Sequence, residues 1–191
     1  MQVIKPTTWE EVFQSWRDNE AHNPGWIRCA TEIKGWPDWE SWRRYMAGKL
    51  KLEKKDWELY RFSNPLAEVS EMLVGPFTAW QKNLPVKNVL SFGEFLEVPE
   101  KYEQFSNHDT VRKMMDSMPF TSFMTGLIRE DNRKLVCIEG HHRAAALALA
   151  NKLGRKIDFG DEVLYISLSL LPKDELYLLD KALELGSEKP S

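Results

Sequence analysis

Cysteine is scarce in this chain. Among its 191 residues only Cys29 and Cys137 carry thiols, which leaves no disulfide framework and no Cys-x-x-Cys metal pair. The four histidines have no cysteine pair or repeated histidine spacing beside them, so they suggest no zinc site. Long apolar runs are missing as well. No stretch reaches the roughly 20 residues that cross a bilayer. The opening Met-Gln-Val-Ile-Lys-Pro lacks the apolar centre of a signal peptide. A cytoplasmic location without a membrane partner is the expectation. No charge sign dominates: 26 basic and 29 acidic residues leave a net charge of -3. Neither half is globally basic, which disfavours a dedicated duplex-DNA binder but leaves room for a local patch. Internal repeats and low-complexity tracts are also missing.

Tryptophan is absent after residue 80, yet eight lie within the first 80 residues: Trp9, Trp16, Trp26, Trp36, Trp39, Trp42, Trp57 and Trp80. The shift suggests a mostly helical, tryptophan-rich region over 1–85, distinct from an α/β part over 86–185, with a frayed tail over 186–191. Thr8 and Glu11 form a capping-box pattern ahead of Trp9, Val12, Phe13 and Trp16 at helical spacing. Pro24 and Pro37 suit two further helix starts. Trp39, Trp42, Tyr45 and Met46 then make one apolar stripe, and a fourth helix is expected from about Lys54 to Phe62.

Past Pro85, Val86–Ser91 and Glu94–Val98 are short strand or turn candidates. His108–Met118 has Val111, Met114, Met115 and Met118 on one helical face. Ser122–Arg129 and Leu135–Ile138 suggest two strands joined by the turn Glu130-Asp131-Asn132-Arg133. An alanine-rich helix follows and stops at Gly154. Val163–Leu170 suggests another strand, and Lys173–Leu185 a final helix after Pro172. The expected class is α+β with a small mixed sheet.

The chemistry concentrates at Glu139-Gly140-His141-His142-Arg143, between the Leu135–Ile138 strand and the alanine-rich helix. Gly140 lets the chain bend and a ligand approach the backbone. The first amides of a helix lack intrahelical partners and carry partial positive charge. With two histidines and an arginine beside them, they suggest a phosphate or carboxylate cradle. The plainer alternative is a helix cap whose polar groups face water.

This motif in its setting resembles the ParB/sulfiredoxin-like superfamily, over roughly residues 86–180. The Glu-Gly-His-His-Arg form is similar to the Asp-Gly-His-His-Arg of free-serine-kinase-like members and members described as nucleases. The resemblance implies a ParB/sulfiredoxin-like domain that holds nucleotide phosphates at Gly140, His141, His142 and Arg143. Arg143 is the principal contact, because guanidinium makes forked bonds to phosphate. His141 stands where sulfiredoxins carry their catalytic cysteine, which removes that repair chemistry. By the same resemblance Asp109 is the candidate general base and His108 a phosphate ligand or proton relay. Glu139 would organise Mg²⁺ or substrate, or simply bond local backbone amides. The residues themselves favour an ordinary cap or first-turn acid at Asn107 or Asp109 over a base.

The implied function is a nucleotide-dependent phosphotransferase or related small-molecule enzyme. It would use ATP or ADP, with CTP the alternative, and Mg²⁺ bridging the phosphates. The N-terminal region would wall the pocket of a small-molecule acceptor. Two rivals stand beside it: a ParB-like nucleic-acid-associated protein, either a CTP-switched clamp or a nuclease, and a non-catalytic binding module. Arg43, Arg44, Lys49, Lys51, Lys54 and Lys55 with Trp42, Tyr45 and Trp57 suit single-stranded nucleic acid. Their helical spacing instead favours buried aromatics behind a solvated basic face. Cys137, inside an apolar run, reads as a buried, inert thiol.

Overall fold

The computed structural model describes residues 1–116, 123–159 and 164–191. Met118, Ser122 and Val163, placed by the sequence on a helix face and at two strand starts, lie outside the described residues. The fold is α+β, with one five-stranded mixed sheet.

The N-terminal region begins with strand β1 (Gln2–Thr7). Helix α1 (Trp9–Glu20) follows, and its capping box forms as expected: Thr8 Oγ1 accepts from Glu11 N, while Glu11 accepts from Thr8 N at 2.9 Å. Helix α2 (Pro24–Arg28) has Pro24 in its first turn and runs into a π-helical turn over Cys29–Ile33. Helix α3 (Trp39–Lys49) is capped by Asp38, which accepts from Ser41 N at 2.7 Å, so Pro37 precedes the cap rather than opening the helix. The expected helix over Lys54–Phe62 is replaced by a 3₁₀ turn at Leu52–Lys54 and strand β2 (Trp57–Arg61). Pairing with strands on both sides outweighs the weak local helix preference there.

Four short helices line the middle of the chain: α4 (Pro65–Ser70), α5 (Thr78–Gln81), α6 (Phe92–Phe95) and α7 (Pro99–Ser106). The strand or turn candidate at Glu94–Val98 is not a strand: Glu94 and Phe95 end α6, which a Ser91–Glu94 capping box opens, and residues 96–98 turn away from it. Val86–Ser91 is a bend and irregular chain ending in an isolated bridge, Leu73 to Ser91. Helix α8 (Asp109–Asp116) buries Val111 and Met115. Strands β3 (Phe123–Arg129) and β4 (Leu135–Glu139) form the expected hairpin. Helix α9 (His141–Lys152), strand β5 (Tyr165–Leu171) and helix α10 (Tyr177–Leu185) complete the order.

The sheet order is β1-β2-β5-β3-β4; β3 and β5 run parallel and the other neighbours antiparallel. Strands from both sides of Pro85 therefore share one sheet, and the helical reading of 1–85 missed β1 and β2. Alternation along β4 sends side chains to two cores. Leu135 and Cys137 join Met124, Ile166, Leu168, Phe92, Phe95 and the alanines of α9. Val136 and Ile138 join Leu127, Trp9, Phe13, Trp16, Trp39, Trp42, Leu178 and Leu179. Trp9, Trp16, Trp39, Trp42 and Trp57 are buried, as their spacing predicts. Burial of each contributes on the order of a few kcal/mol. Trp16 Nε1 also donates to Thr125 Oγ1 at 2.8 Å, tying α1 to β3.

The tail differs from the frayed end expected at 186–191. Trp36 Nε1 donates to Ser187 O at 2.9 Å, Lys189 N donates to Lys34 O at 2.9 Å, and Lys34 pairs with Glu188 at 2.7 Å. These contacts lie far apart in sequence, out of reach of a local reading.

Candidate functional site

The site is assembled where β4 passes into α9. Gly140 has φ +97°, the left-handed region, and an added Cβ would meet Met124 Cγ at 3.0 Å. Its carbonyl accepts from Ala144 N at 2.8 Å, and among the described residues no side chain caps the helix. The first turn of α9 carries His141, His142 and Arg143. Beneath it lies Gly75, where a Cβ would fall 1.9 Å from Cys137 O and 2.9 Å from His141 Nε2. Only a glycine backbone fits so close to the strand and the histidine.

A cavity of about 660 Å³ lies at this junction, within the usual range for small-molecule sites. Glu139, Gly140, His141, His142 and Arg143 form one side; Glu20, Trp26, Trp42 and Arg43 from the first three helices face it. Phe77, Trp80, Phe105 and His108 complete the wall, and Lys34, Lys49, Gly186 and Ser187 also line it. Among the described residues the lining holds four cations, Lys34, Arg43, Lys49 and Arg143, against two carboxylates, Glu20 and Glu139.

Both carboxylates are paired. Arg143 Nη2 donates to both oxygens of Glu139 at 2.6 Å, and Arg143 Nε has no partner among the described residues. Arg43 Nε lies 2.9 Å from Glu20 Oε2, which also accepts from Trp39 Nε1 at 3.0 Å. Burial raises the Glu20 carboxyl above its ordinary range, against the opposing pull of Arg43; the nearby Glu139 adds to the rise. Lys49 donates to the carbonyls of Ala182 and Gly186, and burial lowers it to about 8.

An aromatic ladder crosses the wall. Trp80 stacks on Phe105 at 4.7 Å, Phe105 on His108 at 5.8 Å, and His108 lies 5.0 Å from His142. His142 continues to Trp26 at 6.4 Å, and Trp26 to Trp42 at 6.0 Å. Burial, then His108 and Arg143, lower His142 to about 4, so its imidazole is neutral near pH 7. Burial holds His141 well below its ordinary value too. It packs edge-on against Phe77 at 4.8 Å, with Nδ1 3.7 Å from Cys137 Sγ. Burial pushes the Cys137 thiol well up, which fits an inert core thiol and not a nucleophile.

The structure thus gathers His108, Glu139, Gly140, His141, His142 and Arg143 around one cavity. Asp109 is not brought there. It sits exposed in the first turn of α8, outside the cavity wall, although His108 and Thr110 on either side line it. Successive helical residues diverge by about 100°, which separates them. Glu139 bonds the Arg143 guanidinium rather than local amides.

Glu20 is not among the expected site residues, and Arg43 is expected only in a solvated basic face, whereas the structure buries it against Glu20; the sequence still carries a signal for both. Each stands four residues after a buried tryptophan, Trp16 and Trp39, on the apolar stripe of its helix. Opposite charges on two apolar stripes suit a buried pair. A protein-held seat for Mg²⁺ is not evident: the two wall carboxylates are engaged by guanidinium groups. Among the described residues no three His, Cys, Asp or Glu side chains converge as a metal set. No protein-family model, no curated protein and no solved structure matches the chain.

Proposed function

We propose that the protein binds a nucleotide in this cavity and acts as a nucleotide-dependent phosphotransferase or related small-molecule enzyme, on a ParB/sulfiredoxin-like domain. The single observation that carries the reading is the meeting of an uncapped helix N-terminus and Arg143 with an aromatic–imidazole ladder in one cavity. The amides and guanidinium suit phosphate, and the ladder suits a planar base. The net cationic lining favours an anionic ligand.

In this reading the phosphate competes with Glu139 for Arg143. Release of Glu139 would free a carboxylate beside the phosphate to accept a proton from the acceptor hydroxyl. Glu139 then replaces Asp109 as the acid–base candidate. Mg²⁺, when bound, would supply charge neutralisation between phosphate oxygens and would arrive with the nucleotide.

A thermal-shift panel of ATP, ADP, CTP and GTP, with and without Mg²⁺, tests the proposal. A nucleotide that binds the native state raises the melting temperature by mass action, and Arg143→Ala should abolish that rise. Absence of any rise, or one indifferent to Arg143→Ala, would sink it. The second reading, a non-catalytic binding module, draws on the displacement of Asp109 from the cavity. Nucleotide binding without turnover on any acceptor would favour it.

A further inference from the structure

The cavity has a feature on its N-terminal wall that nucleotide binding at α9 does not use. Trp42 is 5 % exposed and lines the cavity, and its indole Nε1 has no hydrogen-bond partner among the described residues. Buried N–H groups without partners are rare in folded proteins. Four other indoles are satisfied internally: Trp16 by Thr125, Trp36 by Ser187, Trp39 by Glu20 and Trp57 by Leu52. The next residue, Arg43, holds its guanidinium 5.5 Å from the Trp42 ring. Glu20 accepts from its Nη2 at 3.3 Å and lies 2.9 Å from its Nε, yet Nε has no hydrogen-bond partner among the described residues, so the guanidinium, with five N–H donors, keeps capacity for another acceptor. Indole and guanidinium are donors only, so their partner must be an acceptor.

We propose that Trp42 and Arg43 form a second recognition point in the cavity, for the oxyanion group of a small-molecule co-substrate, either a carboxylate or a phosphate. It rests on reading the cavity as a ligand site. Trp26 stands between Trp42 and His142, 6.0 Å and 6.4 Å from their rings. One indole ring thus separates this point from the α9 end, which places two recognition points in one cavity. The acceptor is then an anionic small molecule and not a neutral one.

The test is a titration of protein labelled with ¹⁵N-tryptophan, followed at the indole N–H signals. Trp42 is assigned by its disappearance in Trp42→Phe, which keeps an aromatic ring and removes the donor. Should that variant not fold, sequential assignment of the wild type identifies the same signal. Inorganic phosphate and acetate are added separately, without nucleotide. The expected result is a saturable downfield shift of the Trp42 indole proton with one of them, while the Trp36 and Trp57 signals stay in place. The anion that acts tells a phosphate from a carboxylate source. Affinity for it should fall about tenfold in Trp42→Phe, the loss of one hydrogen bond to a charged group. A Trp42 signal unmoved by both anions, or an affinity unchanged in Trp42→Phe, overturns the proposal. An Arg143-dependent thermal shift with nucleotide would still stand in that case, so the two readings fail separately.

Discussion

At the scale of single residues, the glycines separate close approach from mere flexibility. Gly75 presses against the Cys137 carbonyl, where a methyl group would sit 1.9 Å away. Gly75→Ala should destabilise the fold by about 2 kcal/mol or more, since the Cys137 backbone and the His141 ring must both shift. Gly48, in α3, has nothing within 4 Å of an added Cβ. Gly48→Ala should stabilise by about 0.5–1 kcal/mol. Chemical denaturation of the two variants checks both signs, and a similar response at the two positions would refute the distinction. His142 makes a third residue-scale prediction. Its folded-state value, about 4, lies below the unfolded value of about 6.5. Between those limits the unfolded chain binds more protons, so stability present above pH 6.5 is lost as pH falls toward 4. His142→Gln should flatten this loss, read from denaturation midpoints at pH 7, 5.5 and 4.5. An unchanged slope would show that His142 does not titrate differently on folding.

Elements obey their caps. Thr8→Ala removes one half of the α1 capping box and should lower stability by about 1 kcal/mol, seen as a shift in denaturation midpoint without a change in slope. No shift would mean that Trp9, Phe13 and Trp16 alone hold α1 in place. The same local signals explain which elements the sequence reveals. Helices α1 and α3 combine a start signal with buried residues at helical spacing, and α9 follows a glycine turn with a run of alanines; all of these signals are local. Strand β1 buries none of its residues, so it has no apolar alternation to detect. Strand β2 lies between β1 and β5, and its identity depends on partners distant in the chain. In the site, the β4–α9 junction is legible because strand, glycine and helix are consecutive. Its opposite wall is not, because Glu20, Trp26, Trp42 and Arg43 reach the cavity only through packing of α1, α2 and α3. Their positions on apolar stripes mark Glu20 and Arg43 as buried, but nothing local says against what.

Across the whole molecule, one sheet joins the two compositional halves. A fragment of residues 86–191 keeps the motif but loses β2, the neighbour of β5, and the tryptophans that cover Leu127, Val136 and Ile138. Such a fragment should lack a cooperative thermal transition and bind a hydrophobic dye, whereas the intact chain should unfold in one step. A cooperatively folding fragment would show that the C-terminal half is self-sufficient. The burial of α9 has a consequence for how a ligand would bind. Residues Ala144 to Ala150 are all buried, on every side of the helix. A helix so enclosed cannot tilt or fray without opening the core, so the amides at its start are already in place before any anion arrives. Association would then require little ordering of the backbone, and the main local rearrangement would be the exchange of one guanidinium between two anions. Such preorganisation spares the entropy that a loop-built site loses on binding.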